Sequence, residues 1–146
     1  EYILFPEGGY AEDIDWVIQL FSRAKYISFL NGLAYAYRQH GNSTASRSTE
    51  GPNHLAAIIQ KWAEKVKQNE VPDPEVVAGL LAFEYGICMG HQQYLSREMK
   101  IILKEYQYLL HYAMDKKTKV IRLFHRIFGY WFTCNMIRFY LFCRRI

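Results

Sequence analysis

Three carboxylates fall within four positions near the start of the sequence. They are Glu12, Asp13 and Asp15 of the segment Gly9–Trp16, GYAEDIDW, which comes directly before an apolar helical pattern. In the first turn of a helix each would interact favourably with the helix dipole and the free amide hydrogens, by about 0.3 to 1 kcal/mol. The adjacent acids Glu12 and Asp13 also repel each other, and a close carboxylate pair often marks a site where one member acts as a base. The segment therefore has two interpretations, an acidic helix start and a general base.

The elements expected around this segment are a helix and then two β-prone runs. Apolar residues recur at helical spacing after the acids, which predicts an amphipathic helix of about 11 residues from Glu12 or Asp13. The runs Tyr26–Leu30 and Leu33–Arg38 flank an Asn-Gly pair, the strongest short hairpin signal. One or two strands are expected here.

A loop and then helices are expected over the rest of the chain. Residues 39–53 are rich in Gly, Ser, Thr, Asn and Pro without an apolar period, so we predict a loop and a domain boundary there. The predicted fold class is mainly α (α+β), in which a helix with one or two strands precedes a bundle of about four helices. These four are opened by Asn53 as an N-cap, by Asp73-Pro74, by Ser96 and by Thr118, and the last three run to about Gln92, Met114 and Cys143.

The net charge of +4 is unevenly distributed along the chain. Residues 116–146 carry eight basic residues and no acid, whereas the remainder carries ten basic and fourteen acidic residues. Cys88, Cys134 and Cys143 form no CxxC pair and stand in apolar surroundings, which favours reduced, buried thiols of a cytoplasmic protein over disulfides or a zinc site. The sequence has no uninterrupted apolar stretch of about 18 residues that would span a bilayer.

The C-terminal helix has an apolar face too wide for an ordinary surface helix. Its polar positions 119, 122, 126, 129 and 133 trace one narrow strip. The core of residues 54–114 is the first candidate to cover the apolar face. The alternatives are a membrane surface of anionic lipid, contacted through residues 118–145 from the inner face of the cell membrane, and a homodimer. No broad basic patch indicates nucleic acid.

The front of the chain resembles a known enzyme family. Phe5–Trp16, Ala24–Ile27, Tyr35–Arg38 and Gly41–Ser43 follow one another as F-x-E-G…E-D, a-k-x-i, Y-x-Y-R and a Ser-containing loop. In order and spacing they resemble the closing section of bacterial family 2 glycosyltransferases of the GT-A fold. Such enzymes assemble capsules, exopolysaccharides and lipopolysaccharide, transferring a sugar from a nucleotide diphosphate donor with inversion.

The resemblance implies roles for five residues. Asp13 matches the base that takes the proton from the acceptor hydroxyl, and Glu12 matches the neighbour that orients the acceptor or the base. Arg38 is suited to grip the leaving diphosphate, although it could instead cap a strand and pair with Glu12 or Asp15. Ser43 matches the loop position that closes over the donor, and His40 is a weaker candidate for the same task.

The resemblance also implies a metal that this chain does not hold. Family members bind Mg²⁺ or Mn²⁺ at an Asp-x-Asp motif in a nucleotide-binding half that precedes this section. Asp13-Ile14-Asp15 matches this motif in sequence, but at a helix start the two carboxylates are expected to diverge. No metal site and no Gly-rich phosphate loop are therefore expected here.

We accordingly expect residues 1–48 to complete a glycosyltransferase catalytic domain and residues 49–146 to form a helical C-terminal region. The chain begins as if an element were entered midway, so it is expected to be an inactive piece of a longer cytoplasmic enzyme. Nucleotide sugar and a glycan acceptor would be partners of the whole enzyme. The alternative is a non-catalytic helical module for self-association or membrane-surface docking, in which the acids only start a helix.

Overall fold

The computed structural model describes residues 10–28, 30–32 and 49–143, and these residues are mainly helical. The first helix confirms the predicted amphipathic helix, and four more α-helices follow the predicted loop. The α-helices are α1 Glu12–Arg23, α2 Gly51–Lys67, α3 Pro74–Gly90, α4 Arg97–Glu105 and α5 Lys116–Cys143, and two short 3₁₀ helices span Gln92–Tyr94 and Gln107–Tyr112.

The predicted strands are not seen in the described part of the chain. Residues 26–28 and 30 belong to the first β-prone run and form neither helix nor strand. The second run, Leu33–Arg38, lies outside the described residues. Whether the front of the chain carries the strands of a GT-A domain therefore stays a prediction.

Two of the predicted helix caps are confirmed and one is wrong. Asp73 accepts a hydrogen bond from the Val76 amide, and Ser96 caps α4 in the same way. Asn53 is not an N-cap, because the Gly-Pro pair starts α2 two residues earlier, after Glu50. The Asn53 amide side chain instead donates to the Tyr94 carbonyl at 3.1 Å and accepts from the Ser96 amide at 2.8 Å. It thereby joins the start of α2 to the start of α4.

Helix α3 is the centre of the core. Its residues Leu81, Tyr85 and Met89 are completely buried, and α2, α5 and the second 3₁₀ helix pack around it. The buried Tyr85 hydroxyl donates a hydrogen bond to the Leu103 carbonyl at 3.0 Å. The third predicted helix is shorter than expected: α4 ends at Glu105 and the chain continues as 3₁₀ helix.

Three glycines of α3 allow other side chains to approach its backbone closely. A Cβ atom at Gly86 would lie 3.1 Å from Ile121, and one at Gly90 would lie 2.8 Å from both Ile137 and Leu141. At Gly79 the near neighbour is Met114, at 2.5 Å. The missing Cβ atoms therefore set how near α5 and the segment before it can come to α3.

Helix α5 is interrupted at Gly129, whose φ of 76° and ψ of 178° are not helical. On its inner side Thr118, Thr133 and Cys134 are buried. The core of residues 54–114, the first predicted partner of the apolar face, covers the inner side, but a row of large apolar side chains on the outer side is exposed. The row consists of Val120, Leu123, Ile127, Phe128, Trp131, Phe132, Met136, Phe139, Tyr140 and Phe142. None of the helices in the described ranges is long and apolar enough to cross a membrane.

Two of the three cysteines are buried and the third is exposed. Cys88 and Cys134 are buried free thiols, as expected from their apolar surroundings. Cys143 is exposed, against the prediction, because it lies on the outer side of α5. Burial raises the pKa of the Cys134 thiol to about 11, so this thiol stays protonated at neutral pH.

We predict that Gly90→Ala lowers the free energy of unfolding by about 1 to 3 kcal/mol, because the new methyl group overlaps the β-branched Ile137. Gly79→Ala is the matched control in the same helix. There the neighbour is the flexible and half-exposed Met114, which can move aside, so the loss should be clearly smaller. Urea unfolding of both variants measures the difference, and equal stabilities would contradict the close α3–α5 approach.

Candidate functional site

The best-connected acid of the opening segment is Asp15, which is buried between α1 and α2. Its carboxylate accepts from the Trp62 indole Nε1 at 2.6 Å and from Lys61 Nζ at 2.8 and 3.1 Å. The Gln19 amide, one turn along α1, donates at 3.0 Å. These bonds fix α1 against α2 through a group that would be costly to bury alone.

Two opposing effects act on the pKa of Asp15. Burial favours the neutral acid, but the hydrogen bonds from Lys61 and Trp62 and the charge of Lys61 outweigh it, so the pKa is lowered. Asp15 is therefore an ionised structural group at neutral pH. With its oxygens bound to α2, it cannot join Asp13 on a metal ion.

Asp13 has a different environment from Asp15. It is exposed at the start of α1, and one carboxylate oxygen accepts from the next amide, of Ile14, at 3.0 Å. Its charge also acts on Glu84 of α3, a partly buried carboxyl group. Burial first, and then the negative charge of Asp13, raise the pKa of Glu84 to about 7.

The pair of Asp13 and Glu84 has the electrostatics of an acid–base site. The negative charge of Asp13 acts on Glu84, and Glu84, with a pKa of about 7, can exchange a proton near neutral pH. The exposed member can reach a bound molecule, and the partly buried one can hold or release a proton beside it. The structure thus brings α1 against α3 so that the charge of Asp13 acts on Glu84, an arrangement that the opening segment alone does not contain.

Residues of α2 and α3 border this pair. The Cys88 thiol lies one turn after Glu84 and contacts the Pro52 carbonyl at 3.8 Å. Burial, followed by the charge of Glu84, raises its pKa, so Cys88 is an inert thiol here rather than a nucleophile. Tyr10 packs edge-on against His54, with ring centroids 5.3 Å apart, and covers the start of α2 beside Gly51.

The start of α1 is itself unusual. Its N-cap is Ala11, whose φ of 61° lies in the left-handed region, and no side chain caps the helix. A non-glycine residue in that region costs about 1 kcal/mol or more, so the surrounding contacts must hold it there. Asp13 partly substitutes for the missing cap through its bond to Ile14. Asp13 therefore stabilises the start of the helix and also acts on Glu84 through its charge.

Of the other predicted site residues, the structure describes Glu12. Glu12 is the first residue of α1 and is partly buried. Arg38, His40 and Ser43 lie outside the described residues, so their roles stay predictions.

Glu84 is the member of the site that sequence reasoning missed. A signal was present, because Glu84 is the only charged residue in the run from Val76 to Gly90. A lone carboxylate in an otherwise apolar helix is costly to bury and therefore indicates a special environment. Its proximity to Asp13 could not be read from the sequence, because it depends on how α1 packs.

A separate cleft of about 300 Å³ lies at the other end of α1. Its lining includes the cations Arg23, Lys61 and Lys65, with the two lysines also lying over the Trp62 ring at 5.5 and 5.0 Å. Asp13 and Glu84 are not part of this cleft.

A divalent cation does not fit the described residues. Within residues 10–28, 30–32 and 49–143 no three His, Cys, Asp or Glu side chains converge as a metal site. Asp13 and Glu84 are only two, and Asp15 is already bound to Lys61 and Trp62.

Comparison with family models, curated proteins and solved structures gives no match to this chain. The function is therefore argued from the residues and their geometry.

We predict that Trp62→Phe lowers the free energy of unfolding at pH 7 by about 1 to 3 kcal/mol, because Asp15 loses a buried donor. Since the pKa of Asp15 is lowered, the stability from its ionised form is present above pH 3.8 and is lost as the pH falls through the folded-state pKa. The cost of the substitution should therefore shrink in acid. Trp131→Phe, at a position 74% exposed, is the control and should cost little. Equal losses for both variants would contradict a structural role of the indole N–H.

We predict that Glu84→Gln removes a stability change between pH 4.5 and 7. The folded state holds the Glu84 proton more tightly than the unfolded state, so wild-type stability should fall as the pH rises from 4.5 toward 7. Asp13→Asn should lower the pKa of Glu84, and carboxyl-carbon NMR titration would measure this directly. Glu75→Gln, in the first turn of the same helix, should leave the titration in place. A Glu84 pKa near 4.5 in the wild type would show that the pair does not form.

Proposed function

We propose that this chain is the C-terminal part of an inverting glycosyltransferase. The enzyme transfers a sugar from a nucleotide diphosphate donor to a growing polysaccharide or lipid-linked glycan, with Asp13 as the base. The observation that carries the proposal is the position of Asp13, exposed beside Glu84 at the start of α1. The motif resemblance from Phe5 to Ser43 supports the same assignment independently of the fold.

The geometry suits the proton transfer that the reaction requires. The acceptor oxygen attacks the anomeric carbon, its proton passes to the Asp13 carboxylate, and the bond to the diphosphate breaks with the electron pair leaving on the phosphate. An exposed carboxylate can reach the hydroxyl of a large glycan acceptor. In this proposal Glu84, which is largely protonated below pH 7, serves as a hydrogen-bond donor to the acceptor.

Other parts of the proposed enzyme would bind the leaving diphosphate. Arg38, His40 and Ser43 are proposed to face it, on the strength of the resemblance alone. Mg²⁺ or Mn²⁺ would neutralise the diphosphate in the nucleotide-binding half. Because the described residues do not fit that metal, no step of the proposal uses it here.

The competing function is a non-catalytic helical module. The bond from the Ile14 amide to Asp13 is its supporting observation, since a helix-start acid needs no substrate. The two functions make different demands on Asp13. A base requires a carboxylate, whereas an Asn side chain accepts the same hydrogen bond from Ile14 and starts the helix equally well.

We predict that Asp13→Asn in the full-length enzyme lowers nucleotide release by about 100-fold or more while the protein stays folded. The assay uses a panel of nucleotide sugars with Mg²⁺ or Mn²⁺ and an acceptor extract. Asp73→Asn, a matched loss of one carboxylate at the N-cap of α3, should leave release unchanged. Unchanged release in Asp13→Asn would reject Asp13 as the base. Absence of release from the wild type with every donor would reject the glycosyltransferase assignment.

A further inference from the structure

The outer side of α5 carries more exposed large apolar side chains than any other helix in the described part of the chain. We call it the α5 apolar face and define it by eight side chains, each at least 36% exposed. Trp131 and Phe139 are 74% and 69% exposed. Isolated exposed apolar residues are ordinary, but eight exposed large apolar side chains on one helix indicate a surface that binds something. The eight are Val120, Leu123, Ile127, Trp131, Phe132, Met136, Phe139 and Phe142.

Basic side chains accompany this face. Lys119, Leu123, Arg126 and Ile127 recur at helical spacing on one side of α5, so cations and apolar groups point the same way. Arg138 stands two helical turns after Trp131, on the same side of the second half of the helix. Not one acidic residue occurs between positions 116 and 143. The exposed cations are Lys116, Lys117, Lys119, Arg126 and Arg138.

This charge pattern decides between the possible occupants. A second copy packed on the same face would bring two all-basic helices together, and like charges in a contact oppose association. Nucleic acid would use the cations but would leave the wide apolar row without a partner. An anionic lipid surface satisfies both features, because phosphate headgroups meet Lys and Arg while Trp and Phe enter the boundary of the acyl chains.

We propose that α5 docks this protein onto an anionic membrane surface, lying in the plane of the interface on its apolar face. The packing of the helix supports this orientation. Thr118, Thr133 and Cys134 are buried against the rest of the protein, so the opposite side is free to face lipid. At the break the Thr133 hydroxyl donates to the Gly129 carbonyl at 2.8 Å, which satisfies one polar group of the interrupted helix. Trp131 lies near the middle of the face, and tryptophan favours the membrane interface.

The proposal is independent of the glycosyltransferase proposal. It rests on α5, whereas the catalytic proposal rests on Asp13 and Glu84. Either can fail alone, because vesicle binding is measured without any sugar donor.

The test is flotation of the purified protein with vesicles. One set contains phosphatidylcholine with phosphatidylglycerol at about 30%, and the other contains phosphatidylcholine alone. We expect binding to the anionic vesicles, and at least about tenfold weaker binding to the neutral ones. Binding should weaken as salt is raised, because the electrostatic part is screened.

Two double variants test the two parts of the face. Trp131→Ser with Phe139→Ser removes apolar contact, and Lys119→Glu with Arg126→Glu reverses charge, and each should weaken binding to anionic vesicles by about tenfold or more. All four positions are exposed, so the fold should be retained. The matched controls are Ile101→Ser, an apolar residue 58% exposed on α4, and Lys25→Glu with Arg97→Glu, both exposed. The controls should bind as the wild type does.

Three results would overturn the proposal. The first is no binding of the wild type to the anionic vesicles. The second is an equal loss in the face variants and the controls, which would indicate non-specific attraction. The third is a wild-type dimer in analytical ultracentrifugation that the Trp131→Ser, Phe139→Ser variant dissociates, with no vesicle binding, which would assign the face to a second copy.

Discussion

The buried carboxylate of Asp15 determines where α1 lies. It accepts bonds from Lys61 and Trp62 on neighbouring positions of α2, which fixes both the height and the rotation of α1. Apolar contacts of Ile14 and Ile18 alone would tolerate a small rotation, because apolar burial is not directional. A buried charge tolerates it less, since losing either donor leaves a buried carboxylate oxygen with fewer hydrogen bonds. The position of Asp13 beside α3 follows from this constraint, because it precedes Asp15 by two residues on the same helix.

Two aspartates of the opening segment have the same side chain but different properties, because their environments differ. Asp15 is buried and bound, and its pKa is lowered. Asp13 is exposed, touches one amide of its own helix, and acts on Glu84 through its charge. Glu84 belongs to the central helix α3, where partial burial and then the charge of Asp13 raise its pKa to about 7. Composition and spacing carry none of these differences, which arise from the positions of α1, α2 and α3.

Local patterns predicted the helices well and the tertiary contacts poorly. The cap signals of Asp73 and Ser96 act within three residues, so the sequence contains all of the interaction. Asn53 is also a good N-cap residue, but its side chain is hydrogen-bonded to Tyr94 and Ser96 instead. These residues are distant in the sequence and come near Asn53 only in the folded chain. The Asp13–Glu84 pair could not be predicted for the same reason. The wide apolar face of α5 was visible as a pattern, but which side of it the core covers required the packed structure.

The glycines of α3 have a consequence for the order in which the chain folds. Glycine is among the weakest helix formers, so a segment with Gly79, Gly86 and Gly90 has little tendency to be helical by itself. The groove that these glycines open is filled by residues such as Ile121 and Ile137, far along the chain. The central helix should therefore become stable only together with α5, so its formation during folding depends on contacts between distant parts of the chain. Folding that begins with local helices alone would leave the core without its centre.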